Sequence, residues 1–259
     1  VSKLRILENL VFEDTVTITS SSEDAAFPVS NLKSQLRSKV WRTTDSASQW
    51  VLFDLKTTED IDSFVVLFRA NSSIKISSGA NIRLQASATT DFSMPPVDIV
   101  LDIDSDNLTA SHYFENAESY RYWRLYVDDV ASAWGYIEVS NVVISGSTVV
   151  SSVENGFSWE YVDRSKESRT DYGQKYYDTF PIVRTMGVKF AVLDYPEVEE
   201  LMNIFQRVGK TEAICMVQDP EEKVFDKDRF FVYGNIKSFK PAHKRYIYFD
   251  VSVSIEEQL

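Results

Sequence analysis

The sequence predicts a mainly β protein in two parts. Residues 1–148 read as a jelly-roll β-sandwich, and residues 149–259 as a split β-barrel with one helix. Three observations carry that prediction. Short runs rich in β-branched and aromatic residues recur at close spacing, Trp50-Val51-Leu52-Phe53 being the most compact. Aromatic residues make up 13% of the chain and fall mostly in such runs. Only one stretch, 196–208, repeats its apolar residues with a helical period.

Taken in order, residues 4–18 open with a strand-like run that ends in Thr15-Val16-Thr17-Ile18, and 19–24 is a polar turn. Pro28 makes 25–32 extended or turn-like. Residues 33–39 form a basic loop leading into Trp41. Strands follow at 51–54 and 64–68, then a Ser/Asn loop over 70–80 with a short strand at 74–76 inside it. Residues 81–87 alternate with period two, as a half-buried strand does. Residues 97–103 are another strand. Along 120–127, Tyr120, Tyr122, Arg124 and Tyr126 share one face, and Arg121, Trp123, Leu125 and Val127 share the other. Residues 131–144 close the set. Many strands at short spacing with no helix among them suit a sandwich.

The pattern breaks at 146–152, which marks the boundary between the two parts. Beyond it, 157–162 alternates, 163–173 is a polar loop or hairpin tip, and 179–193 is a long strand. Asp194 and Glu197 fit a capping box, Pro196 suits the first turn, and Gly209 suits a left-handed C-terminal position. Val198, Leu201, Ile204, Phe205 and Val208 form the apolar stripe of helix 196–208. Strands return at 213–217, 229–233 and 245–255, so one helix covers an open face of sheet.

The formal net charge is −12, with no basic arm in either part. Nucleic-acid binding needs clustered Lys and Arg, and anionic membrane surfaces repel an acidic protein. No nucleic-acid-binding surface and no membrane partner are therefore expected, whereas neutral ligands such as glycans suit this charge. Cys215 is the single cysteine, so no internal disulfide forms, and its apolar neighbours predict a buried, inert thiol. No apolar run approaches the roughly 20 residues of a membrane span. Residues 1–20 show no signal-peptide core. The sequons at Asn71 and Asn107 read as accidental.

No catalytic constellation is visible, and the chain is read as not an enzyme. His112 and His243 lack any surrounding motif, and 241–244 reads as a turn. Residues 102–107 begin like a calcium loop, but Asn107 stands where the sharp turn needs Gly and Tyr113 where the bidentate Glu would be. A solvated acidic loop is the plainer reading, and neither a metal nor a cofactor is expected. The adjacent carboxylates Asp128-Asp129 and Glu256-Glu257 point to opposite faces of a strand, which disfavours a catalytic dyad. Sugars bind through ring faces stacked on Trp or Tyr, with Arg, Asn and Asp taking the hydroxyls. Trp41, Arg42, Trp134 and Tyr136 are the candidates for this from loops at one end of the sandwich, core or rim packing being the alternative for each.

On these residues, 25–145 resembles the galactose-binding-like jelly roll of the discoidin fold. The carrying segments are Phe27-Pro28-Val29-Ser30-Asn31-Leu32, Trp41-Arg42 and Gln49-Trp50-Val51-Leu52-Phe53-Asp54-Leu55, then Ile82-Arg83-Leu84-Gln85-Ala86-Ser87 and Tyr122-Trp123-Arg124-Leu125. They match, in order, the family's entry turn, structural tryptophan and three core strands. Lys56 stands where the family has Gly, and Asn31-Leu32-Lys33-Ser34 lacks the Asp that in the family lies beside a structural calcium. Residues 153–259 resemble the tube-type domain of bacteriophage distal tail or baseplate-hub proteins. The features are the alternating opening strand, the 163–173 loop, the long 179–193 strand, the helix ending at Gly209, Tyr233-Gly234 and the closing Ile255-Glu256-Glu257. The resemblance implies a structural tail-tip component of the virion, made in the host cytoplasm and assembling as a homo-oligomeric three- or six-fold ring at the end of the tail tube. Its partners would be the tail tube and hub proteins, through Asp163, Arg164, Lys166, Arg169 and Tyr172, with the jelly roll outward and open to host-surface glycan. The alternative is a carbohydrate-binding adhesin or lectin module.

Overall fold

The computed structural model describes residues 4–69, 74–77, 79–104, 108–150, 153–218, 231–245 and 248–258. In chain order the strands begin with β1 (Leu4–Glu8), β2 (Thr17–Ser20), β3 (Trp41–Arg42), β4 (Gln49–Leu67) and β5 (Asn81–Ser87). Next come β6 (Val97–Val100), β7 (Ile103–Asp104), β8 (Thr109–Asp128), β9 (Glu138–Val139) and β10 (Asn141–Ser145). The C-terminal part holds β11 (Thr148–Val150), β12 (Val153–Asp163), β13 (Lys166–Arg169), β14 (Lys175–Asp178) and β15 (Ile182–Leu193). Helix α1 (Tyr195–Val208) follows, then β16 (Ala213–Gln218), β17 (Phe231–Arg245) and β18 (Tyr248–Glu257). Among the described residues the protein is mainly β with one α-helix, a β-sandwich plus a second sheet.

The sandwich is built from two long strands that each serve both of its layers. The runs 51–54 and 64–68, expected as separate strands, are the two ends of β4, and β8 extends the expected 120–127 strand back to Thr109. Both bend where their pairing slips, between Asp54 and Glu59 and again between Ile61 and Ser63. One layer runs β2, first half of β4, second half of β8, β5, β6, and the other contains β10 and β7 against the remaining halves. Val51, Phe53, Leu84, Trp123 and Leu125 of the first layer meet Phe64, Val66, Val142 and Ile144 of the second in one core. The expected strand at 74–76 is a bend, and 131–137 is loop rather than strand. Arg121 also departs from its expected apolar face. It sits at the bend and bonds Asp54 through two nitrogens at 2.7 and 3.0 Å, holding that carboxyl far below the usual carboxylate range.

The second sheet has the order β11-β1-β16-β17-β18-β15-β12. The expected split barrel does not close among the described residues: the ladder is open, with β11 and β12 at its ends. Those ends are nonetheless consecutive in the chain, so Val150 and Val153 are separated by at most about 10 Å, and the sheet curls accordingly. Helix α1 lies on its inner face with Val198, Leu201, Ile204 and Val208 buried. The capping box of Asp194 and Glu197 is formed, and Gly209 takes φ 58°. The expected turn at 241–244 lies within β17, where Ala242 pairs with Asp250 and His243 with Phe249.

The division at 148/149 does not follow the sheets. The N-terminal β1 lies between β11 and β16, with Leu4 opposite Val150 on one side and Gln218 on the other. Both faces of β1 and β16 are covered. Leu4, Ile6, Ile214 and Met216 face the helix side, and Leu7, Ala213, Cys215 and Val217 pack against Val65, Leu67 and Val143 of the sandwich. The layers therefore stack in the order sandwich, second sheet, helix. The loop 33–39 stitches the units together. Gln35 accepts from the Ala213 amide and from the Tyr233 hydroxyl, both at 2.9 Å, and buried Arg37 donates to the Phe68 carbonyl and lies 3.7 Å from Glu257.

Candidate functional site

Four chain segments meet at one end of the sandwich and are tied by buried polar side chains. The Gln49 Oε1 accepts from the Ser21 and Ser22 hydroxyls at 2.7 and 2.6 Å, and its Nε2 donates to the Ala47 carbonyl. Asp129, 2% exposed, accepts from the Ser77 amide at 2.8 Å and from the Ser77 hydroxyl, while its own amide donates to the Ser46 carbonyl. The segments around 22, 46, 77 and 130 are thus cross-linked from beneath.

Of the four residues expected to bind sugar, Trp41 lies in the core. It pairs with Val139 across β3 and β9, is fully buried, and donates its indole N–H to the Ser22 carbonyl at 3.0 Å. Strand alternation turns its neighbour Arg42 outward. Arg42 bonds the nearly buried Glu138 carboxylate through Nε and Nη2 at 3.1 and 2.7 Å. Its guanidinium lies 3.9 Å from the Phe27 ring and 4.5 Å from the Tyr136 ring. Arg42 and Tyr136 are therefore brought together, but as a stacked internal pair rather than as open hydrogen-bonding groups.

Trp134 is the member of the set that faces solvent, at 38% exposure. It rides a tight turn. The Ser132 amide donates to the Asp129 carbonyl, the Trp134 amide donates to the Ser132 hydroxyl, and Gly135 takes φ 69°, which a side chain would strain. The Lys75 ammonium lies 5.3 Å from the indole. The result is a partly exposed indole with a cation over its ring, on a turn anchored to Asp129. Sequence reasoning missed Lys75, Phe27, Gln49, Asp129 and Glu138. Only pairing and loop packing bring them to one end, and no local spacing announces that.

Among the described residues no group of three His, Cys, Asp or Glu side chains is arranged to hold a metal ion. Residues 105–107 of the acidic loop lie outside the described residues, as do the sequon asparagines Asn71 and Asn107. No helix among those described is long and apolar enough to cross a membrane.

The residues expected to touch a ring or tube cluster at the far end of the second sheet. Asp163 accepts from the Ser165 amide, which with the Ser165 hydroxyl lowers its pKa. Arg164 pairs with Glu256, and Arg169 pairs with Glu167 at 2.9 Å. The Lys166 ammonium lies 5.8 Å from the Phe180 ring. Tyr172, at the tip of the β13–β14 hairpin, is 96% exposed.

No protein-family model matches the sequence, and no curated protein matches it. Solved structures similar to about half of the chain include the family 32 CBM from C. perfringens NanJ in complex with galactose, at 12% identity and TM-score 0.43, covering 55% of this chain and 99% of that one. The lectin domain of Lectinolysin complexed with Lewis B antigen is similar at 14% identity and TM-score 0.44, covering 54% of this chain and 98% of its own. A Streptococcus pneumoniae fucose binding module is similar at 16% identity and TM-score 0.44, with the same two coverages.

Proposed function

We propose that this protein is a carbohydrate-binding module that holds a neutral glycan at the loop end of its sandwich. The observation that carries this reading is the partly exposed Trp134 ring, 38% exposed, on a turn anchored by buried Asp129. A ring held this way is presented at low entropic cost, which is how a stacking platform gains affinity. Binding rather than catalysis is the proposed role, and the two histidines, His112 and His243, lie in different sheets. The test is a glycan-array screen followed by titration of the best sugar. Trp134→Ala is expected to weaken binding about tenfold, the equivalent of about 1.4 kcal/mol, while leaving the fold intact. Unchanged affinity would reject the loop end as the site.

A second reading, compatible with the first, makes the chain a virion tail-tip component that assembles as a ring. It is supported by the hairpin of β13 and β14 and its base, where Tyr161, Tyr172, Tyr176 and Tyr177 are each more than half exposed beside the end strand β12. Light scattering across a concentration series tests it: a closed oligomer lost on Tyr172→Ser and Tyr177→Ser is the expected result, and a monomer at every concentration counts against self-assembly without a template.

A further inference from the structure

Every other arginine whose side chain is described has a carboxylate partner, whereas Arg124 has none among the described residues. In a chain of net charge −12, an unmatched guanidinium is conspicuous. It is also built in. Nε donates to the Gln85 Oε1 at 2.8 Å, the guanidinium lies 4.1 Å from the Phe92 ring and 5.8 Å from the Tyr126 ring, and Nη2 makes one long contact of 3.5 Å to the Phe92 backbone carbonyl. Gln85 is itself 7% exposed and fixed by Asp98, which also holds Arg83. The half-buried Arg124 guanidinium has its pKa lowered by loss of solvent, with Tyr126 and Asp98 acting in the opposite direction without forming an ion pair.

The surroundings form a regular platform. Strand register places Trp50, Tyr126 and Arg83 in one row across β4, β8 and β5, then Leu52, Arg124 and Gln85, then Asp54, Tyr122 and Ser87. Adjacent strands lie about 4.8 Å apart, so a row across three strands spans about 10 Å, wide enough to seat a sugar ring. Trp50, Tyr122 and Tyr126 are half-buried, and the Arg121 and Arg124 guanidinium groups lie 4.8 and 5.8 Å from the Tyr122 and Tyr126 rings. Aromatic rings beside a charged fork are what an acidic sugar needs: stacking for the ring and two parallel N–H donors for the carboxylate.

We propose that the outward face of β4, β8 and β5 is a second saccharide site, selective for sugars bearing a carboxylate, with Arg124 as the anion-binding residue. This site shares no residue with the Trp134 end. It takes the saccharide class from the reading above, and the carboxylate selectivity is its own.

The test titrates the full chain with 3′-sialyllactose and a galacturonic acid tetramer, against lactose and the methyl-esterified tetramer. The acids are expected to bind at least tenfold more tightly than their neutral counterparts, with an advantage that shrinks as salt rises. Arg124→Gln removes that advantage, Arg124→Lys restores part of it, and Trp134→Ala leaves it in place. Equal binding of acid and ester, no binding of either acid, or an advantage that survives Arg124→Gln would overturn the proposal. Should Arg124→Gln fail to fold, the acid–ester comparison on the unaltered chain decides alone. Loss of neutral-sugar binding in Trp134→Ala with the acid preference retained would separate the two sites. Loss of the acid preference in that variant would contradict them being distinct.

Discussion

Arg37, Arg42 and Arg124 show how much a single residue type can differ by context. Arg42 and Arg37 are bound into the structure by carboxylates, and Arg124 is held only by an amide and by rings. Arg37 is 3% exposed. Burial lowers its pKa, nearby Glu257 opposes that shift, and its Nε and Nη2 close on the Phe68 carbonyl at 3.2 and 2.8 Å. Removing it strands that carbonyl and weakens the hold on Glu257, which keeps its pair with Arg184 at 2.9 Å. Arg37→Ala is therefore expected to destabilise the protein by about 3 kcal/mol, read as a lower urea midpoint at unchanged slope. A change under about 0.5 kcal/mol would show that the buried pair is replaced without loss. Nothing in the polar run 33–39 announces this role. Charge there reads as a solvated loop until the second sheet is placed against it.

Among the elements, α1 was the most legible, because capping box, apolar stripe and terminal glycine are all local signals. The short apolar runs located β5, β15 and β16 equally well. The long strands β4 and β8 were not legible as single strands. Their middles, Leu55-Lys56-Thr57-Thr58-Glu59-Asp60 and Glu115-Asn116-Ala117-Glu118-Ser119, are polar, and the pairing of β4 with β8 slips there. Lys56 pinpoints the cost. It takes φ 70°, a conformation that strains any residue with a Cβ. Lys56→Gly is expected to raise stability by about 1 kcal/mol, even though it loses the exposed pair with Asp54 at 2.9 Å. Thermal unfolding measures this, and a lower midpoint would mean that the Asp54 pair outweighs the strain. The Trp134 site was half legible for a related reason. An aromatic in a Gly-flanked loop can be read from sequence, but the direction of Trp41 depends on strand alternation set by its partner Val139.

At the scale of the whole molecule, the two units are one packed body. β1 from the first residues completes the C-terminal sheet, and Leu7, Val65, Val143, Cys215 and Tyr233 share one core between them. Burial pushes the Cys215 thiol well above its ordinary pKa, so it is protonated and shielded at neutral pH. The expectation is that Cys215 does not react with a thiol reagent in the native protein, and that it becomes reactive in the same denaturant transition in which tryptophan fluorescence changes. Reactivity at lower denaturant would show that the units separate before they unfold. The measurement that bears most directly on the account as a whole is an amide and indole NMR titration with the sugar selected by array. Five tryptophans give five reporters. The indole of Trp134 should shift, while those of Trp41 and Trp123, tied to the Ser22 and Tyr120 carbonyls in the core, stay fixed. A titration in which Trp134 stays still, or in which the buried indoles move instead, would contradict glycan binding at this end of the sandwich.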